Sequence, residues 1–202
     1  MLDIVKLSCA RGDRTLFRDL SFSVTPGQLL HVTGQNGSGK TTLLRSLCGL
    51  TRPLEGKIVW NGEETRRLGD DYRGQIAYVG HGNGIQGELT PPENLRAGVE
   101  LTKSANDTDI ETALKRLSLD AYHDFPAKIL SQGQKRRLAL TRLLIDRRPL
   151  WLLDEPLTAL DTRSIAVMTD IFSEHLTNGG MIVLTSHQDL GKLAQRTVNL
   201  DA

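Results

Sequence analysis

Long hydrophobic runs are missing from this sequence. The most apolar segments, residues 150–153 and 181–184, are far shorter than the roughly 20 residues a membrane-crossing helix needs. Charge of one sign is missing too. With 25 basic against 24 acidic residues, net charge is +1, and no general attraction draws the chain to nucleic acid or an anionic membrane. No nucleic-acid partner is expected, and any nucleotide must be held by a local site. Cysteine is scarce: Cys9 and Cys48 lack metal-ligand spacing and are expected to be reduced, buried, small apolar residues without a role. Residues 1–6, with an acid at Asp3, lack the basic and apolar regions of a secretory signal. A cytosolic chain is expected, attached to a membrane only through another subunit. Internal repeats and low-complexity linkers are also absent, and no accessory domain is expected after residues 198–200.

What is there reads as one α/β domain of 202 residues, 39% hydrophobic and 24% charged, long enough for a substantial core. Short apolar runs alternate with helical segments, as in a mainly parallel sheet covered by helices. Residues 16–24 alternate as a strand before a Thr25-Pro26-Gly27 turn, and 28–33 form a buried strand. Residues 57–60 and 75–79 are further strands, the first ended by the turn pair Asn61-Gly62. From about 90 to 139 the spacing of Leu95, Val99, Leu114, Leu117 and Leu119 is helical, interrupted by a polar stretch at 102–108. This predicts a small helical subdomain inserted in a core formed by 1–89 and 140–202. Buried strands resume at 151–154 and 181–185.

Gly34-Gln35-Asn36-Gly37-Ser38-Gly39-Lys40-Thr41 fits G-x-x-x-x-G-K-[ST] between a strand and the helix at 41–47, which continues with Thr42. The glycines let backbone N–H groups converge on a phosphate chain, and the helix adds the positive end of its dipole. Lys40 is expected to bridge the β- and γ-phosphates and Thr41 to give its hydroxyl to Mg2+. A second apolar strand ends in Asp154-Glu155. Acids at a strand's carboxyl end face the ligand crevice of an α/β sheet. Asp154 suits magnesium, and Glu155 can polarise a water for in-line attack on the γ-phosphate of ATP.

These motifs specify a P-loop NTPase. Leu130-Ser131-Gln132-Gly133-Gln134 then resembles the LSGGQ signature of the ABC (ATP-binding cassette) ATPases, with Gln132 replacing a glycine. Leu157-Thr158-Ala159-Leu160-Asp161 looks like that family's D-loop, and Thr185-Ser186-His187 like its switch histidine. The resemblance implies an ABC-type nucleotide-binding domain acting as a homodimer. Ser131, Gln132, Gly133 and Gln134 of one copy would face the γ-phosphate held by the other, with Asp161 in the D-loop. By the same resemblance His187 would contact the γ-phosphate and keep Glu155 and its water in line. Two departures stand out. The aromatic residue that stacks on adenine in the family falls near Ala10 or Arg11, and Arg11 could stack its guanidinium instead. His81 stands where the family has a glutamine near magnesium.

Gly80-His81-Gly82-Asn83-Gly84-Ile85, Glu88-Leu89-Thr90 and Glu93-Asn94-Leu95 are similar to the ATP-binding subunits of the bacterial cytochrome c maturation system, which carry this histidine. Gly82 departs from the glutamine usual there. So do Lys6-Leu7-Ser8-Cys9, Val59-Trp60-Asn61-Gly62 and Gly179-Gly180-Met181-Ile182-Val183-Leu184 resemble them. That likeness implies a peripheral subunit on the cytoplasmic face of the inner membrane, with membrane partners CcmB and CcmC, the small CcmD, and an indirect link to the haem chaperone CcmE. Its ATP hydrolysis would power haem export or release of the loaded chaperone. The five histidines and two cysteines show no haem-attachment spacing, and no haem contact is expected here. Residues 85–95 should form part of the docking face. The alternatives are the ATPase of another small-molecule ABC transporter, or a soluble ABC ATPase, which would be expected to carry long insertions or basic arms.

Overall fold

Apolar runs without alternation mark strands buried on both faces, and the two longest form neighbouring strands. β7 (Leu150–Asp154) and β8 (Met181–Thr185) are buried at every residue and pair in parallel, Leu150 opposite Met181 and Asp154 opposite Thr185. The computed structural model describes residues 1–99, 106–188 and 190–201. Its chain divides into two compact units, one made of Met1–Gly80, Arg148–Glu155 and Phe172–Ala202, the other of His81–Arg147 and Pro156–Ile171.

The first unit holds two sheets. β3 (Leu29–Thr33), β6 (Ile76–Val79) and β9 (Arg196–Asn199) join β7 and β8 in a parallel sheet of order β6-β7-β8-β3-β9. β1 (Leu2–Arg11), β2 (Arg14–Val24), β4 (Glu55–Trp60) and the two-residue β5 (Glu63–Glu64) form an antiparallel sheet of order β2-β1-β4-β5. The Asn61-Gly62 turn closes the β4–β5 hairpin, both residues at positive φ (50° and 89°), as a two-residue hairpin turn requires. Helix α1 (Lys40–Leu47) packs on β7 and β8. Cys9 and Cys48 are buried free thiols. Cys9 Sγ lies 3.4 Å from Ser46 Oγ, and burial pushes the Cys48 thiol up to about 12. Two short helical turns, α2 (Thr65–Leu68) and α3 (Asp70–Arg73), lead into β6, and the Tyr72 hydroxyl donates to the Leu47 carbonyl at 2.8 Å. Near the start of β7 the Trp151 indole stacks on the His175 ring at 3.7 Å, and burial holds the imidazole below its usual pKa, so a neutral ring fills this contact.

Between Val5 and Ser8 the register of β1 shifts against β4, and Lys6 takes a positive φ of 48°. Gly56, at φ 88°, lies against this bulge, where a methyl group would collide with the Lys6 carbonyl oxygen. Neither strand can move aside without losing its ladder. Gly56→Ala is therefore expected to lower the thermal unfolding midpoint by about 10 °C, an effect of roughly 3 kcal/mol from strain and overpacking together. A scan with unchanged midpoint would show that the bulge yields.

In the second unit, α4 (Pro91–Val99), α5 (Asp107–Arg116) and α6 (Gln132–Ile145) pack on one another. Leu95, Leu114, Leu117 and Leu119 are buried, in keeping with the spacing that marked them. The polar stretch expected to interrupt the helices is partly helical. Residues 102–105 lie outside the described residues, but Asn106 caps α5 by accepting from the Asp109 N–H at 2.8 Å, so Asp107 and Thr108 are already in the helix. A cap of this kind turns a polar run into a helix start.

Candidate nucleotide site

The loop from Gly34 to Gly39 follows β3 and opens directly into α1. Gly34, Gly37 and Gly39 have φ of 144°, 87° and 107°, backbone that favours glycine. No side chain caps α1 and no acid stands in its first turn, which leaves the N–H groups at Lys40, Thr41 and Thr42 available to an anion. Gln35, Asn36 and Gly37 are exposed at the crest. Lys40 Nζ donates to the carbonyls of Gly34 (2.6 Å) and Gln35 (3.1 Å), which holds the ammonium over the loop. Ser38 Oγ is buried with no hydrogen-bond partner among the described residues, an orphan that a phosphate oxygen would satisfy.

The acids at the end of β7 meet this loop. Thr41 Oγ1 donates to Asp154 Oδ2 at 2.7 Å, and Thr185 Oγ1 donates to Asp154 Oδ1 at 2.8 Å. Asp154 is buried, and its two hydroxyl donors fix the orientation of the carboxylate. Burial first, and the Asp154 charge second, push the Tyr78 phenol up to about 12. Among the described residues no three His, Cys, Asp or Glu side chains cluster as a metal cage. A hydroxyl beside a carboxylate nevertheless suits magnesium, which takes oxygen ligands and fills its remaining positions with water and phosphate.

Glu155 leaves the strand at φ 50°, its N–H bonded to Thr185 Oγ1 (2.9 Å) and the Thr185 carbonyl (3.2 Å). A left-handed glutamate costs of order 1 kcal/mol or more, and Thr185 holds it there. The turn aims the carboxylate at His187, whose Nε2 lies 3.5 Å from Glu155 Oε1. The glutamate side chain is 16% exposed and the imidazole 63%. The backbone beside His187 is held at Ser186: His31 Nε2 donates to the Ser186 carbonyl at 2.9 Å, and Ser186 Oγ accepts from the Gln188 N–H at 2.9 Å. A half-buried base beside an open imidazole can orient a water and pass on its proton.

The second unit carries the other sequence candidates. Ser131 caps α6, accepting from the Gln134 N–H at 3.2 Å while Gln134 Oε1 accepts from the Ser131 N–H at 2.7 Å. Gln132 is exposed on the first turn. A methyl group on Gly133 would lie 2.7 Å from the Ala159 carbonyl oxygen. This glycine therefore admits the 157–161 loop as well as any anion. Asp161 accepts from the Ser164 N–H at 2.7 Å, and bonds from the Ser164 hydroxyl and backbone hold its carboxyl below the usual range. His81 is exposed just after Gly80. Arg11 ends β1, exposed.

Four supporting residues escaped the sequence reading. Thr185 ties Asp154 to Glu155, as above. Asp201 accepts from the Gln35 N–H with both oxygens, at 2.8 and 3.1 Å, and so braces the phosphate loop from the far end of the chain. Buried Arg136 donates to the Pro156 carbonyl (3.1 Å) and Asn83 Oδ1 (3.2 Å). Asn94 pins the expected docking segment, bonding the Gln86 N–H and the carbonyls of Gln86, Leu89 and Thr90 at 2.8–3.1 Å. No spacing rule could have found the first three, because each joins segments far apart in sequence.

Fold and site together define a P-loop ATPase cassette of the ABC type. The family model described as ABC transporter matches residues 17–158. A putative ABC transporter ATP-binding protein from Pyrococcus furiosus superposes with a TM-score of 0.87 at 25% identity, covering 99% of this chain and 97% of that one. The cytochrome c biogenesis ATP-binding export protein CcmA of Nitrosomonas europaea is 50% identical over 94% of this chain and 90% of that protein. The protein of the same description from Pseudomonas aeruginosa is 42% identical over the full length of both. The chain belongs to the ABC transporter family, within the group of cytochrome c biogenesis ATP-binding export proteins CcmA.

Proposed function

We propose that this chain is the ATP-hydrolysing subunit of an ABC complex for cytochrome c maturation, powering haem export or release of the haem-loaded chaperone. The observation that carries the reading is the joining of Thr41, Asp154, Thr185, Glu155 and His187 at the mouth of the phosphate loop. The relatives' names supply the pathway. In this reading Gly34 to Thr42 hold the triphosphate, with Lys40 against the β- and γ-phosphates. Thr41 and Asp154 would hold magnesium, which when bound would neutralise charge on the phosphates. Glu155 accepts a proton from the attacking water, and His187 fixes the carboxylate and the γ-phosphate relative to one another.

Two copies complete two sites, each taking Ser131, Gln132, Gly133 and Gln134 from the opposite copy and its D-loop contact from Asp161. A two-fold pair of this kind is self-complementary. Arg11 lies on the base side of the nucleotide, and His81 takes the place of a glutamine near the metal. No helix of the described residues is long and apolar enough to cross a membrane. The chain sits on the cytoplasmic face of the bacterial inner membrane through CcmB and CcmC, with CcmD, and serves CcmE without touching haem. Residues 85–95, held in shape by Asn94, form part of the docking face.

The test is deletion of the gene followed by haem staining of c-type cytochromes. Their loss, restored by the wild-type chain, is expected. Normal maturation would reject the pathway and leave an ATPase for another small-molecule transporter.

A further inference from the structure

A cleft of about 440 Å³ opens at the end of α1 remote from the phosphate loop, where the connection to β4 meets α2. Thr51, Arg52, Pro53, Ile58, Thr65 and Arg66 line it with Ser46 and two glycines, and no acid among the described residues does. Arg52 and Arg66 are exposed and make no hydrogen bond or ion pair among the described residues. Two guanidinium charges on one small concavity repel one another, so folding alone does not reward their placement.

The carbonyls that end α1 are already committed elsewhere. That of Arg45 accepts from the Leu50 and Thr51 N–H groups (2.8 and 3.2 Å), that of Ser46 from the Gly49 N–H (3.0 Å), and that of Leu47 from the Tyr72 hydroxyl. These bonds close the helix end on itself. Thr65 gives an independent signal. It is only 8% exposed, yet its hydroxyl has no hydrogen-bond partner among the described residues, and a buried polar group left unpaired calls for one.

The donors indicate the ligand. Two guanidinium forks with the hydroxyls of Thr51 and Thr65 offer about six hydrogen bonds. A terminal phosphate brings about two negative charges and three acceptor oxygens, enough for all of them. A carboxylate has two oxygens with about four acceptor sites. The volume exceeds what a phosphate fills and leaves room for a small organic body, with Pro53 and Ile58 as apolar wall.

We propose that this cleft binds the terminal phosphate of a phosphate monoester, gripped by Arg52 and Arg66 and completed by Thr65. The inference is independent of the nucleotide site, since no residue of 34–42 lines the cleft. A soluble phosphate ester and a phosphatidic acid headgroup share this chemistry. Leu50 and Leu54, two residues before and after Arg52, are 57% and 63% exposed, and in the second case they would meet the acyl region.

The experiment is calorimetric titration of the purified chain in saturating magnesium and ADP, so that the phosphate loop does not compete for the probe. Glycerol 3-phosphate is expected to bind with a Kd below about 1 mM, and glycerate, a carboxylate of similar build, at least about tenfold more weakly. Arg52→Gln and Arg66→Gln should each weaken glycerol 3-phosphate about tenfold, and Thr65→Val about threefold. Thermal midpoints of the two arginine variants should stay at the wild-type value, because both side chains are exposed. Sedimentation with phosphatidylcholine vesicles, with and without phosphatidic acid, distinguishes the sources. Binding that requires phosphatidic acid while glycerol 3-phosphate fails assigns the lipid headgroup, and the reverse assigns a soluble ester. Glycerate binding as tightly, affinity that survives both arginine substitutions, or failure of both phosphate probes would each overturn the proposal.

Discussion

Glu155→Gln should bind ATP at close to wild-type affinity and hydrolyse it about 10²–10⁴-fold more slowly, the usual worth of a positioned general base. The amide keeps the shape and the backbone bonds to Thr185 but cannot take a proton from water. Because hydrolysis is what would release the paired state, the variant should accumulate as a nucleotide-bound dimer. Size-exclusion chromatography with ATP and a single-turnover assay read the two effects separately. Turnover within threefold of wild type, measured in the purified complex, would remove Glu155 from the catalytic assignment. Loss of ATP binding instead would mean that its left-handed backbone at φ 50° depends on the charge.

Lys40→Ala should weaken ATP binding roughly 10²–10⁴-fold, since charge-assisted bonds to two phosphates contribute about 1.5–3 kcal/mol each. In cells it should abolish c-type cytochrome formation as completely as deletion does. The ammonium also bonds the Gly34 and Gln35 carbonyls, so a thermal scan must accompany the binding measurement. An unchanged midpoint with lost binding assigns the effect to the phosphates. Retained maturation by the variant would show that the pathway does not need this site.

The local geometry of the candidate site was legible in part before any coordinates, and for definite reasons. Gly34 to Thr41 could be read because the loop is local: its glycines, lysine and threonine lie within eight consecutive residues between a strand and a helix. β7 and β8 could be read because strands buried on both faces need unbroken apolar runs. Asp154 and Glu155 followed from ending such a run at the sheet's carboxyl edge. The capping box of Ser131 and Gln134 is equally local, so a signature residue also stabilises its own helix.

Other features needed the folded chain. The break between α4 and α5 falls in the polar stretch, but its end at Asn106 was not legible, because a cap and a loop share polar composition. Gly133, the one glycine of the signature segment, also admits the Ala159 backbone, a contact no local pattern announces. The register of β1 against β2 bulges at Leu16, and alternation alone cannot place a one-residue insertion.

Local chemistry decided the phosphate loop, the acidic pair, the buried strands and the helix caps, because each is settled by neighbours in sequence or by the period of one element. Tertiary structure decided the strand order β6-β7-β8-β3-β9, which puts Asp154 beside Thr185 and brings His187 to Glu155. It also decided the brace from Asp201 to Gln35, 166 residues apart. These contacts follow from which faces bury together, a property of the packed chain that no single segment carries.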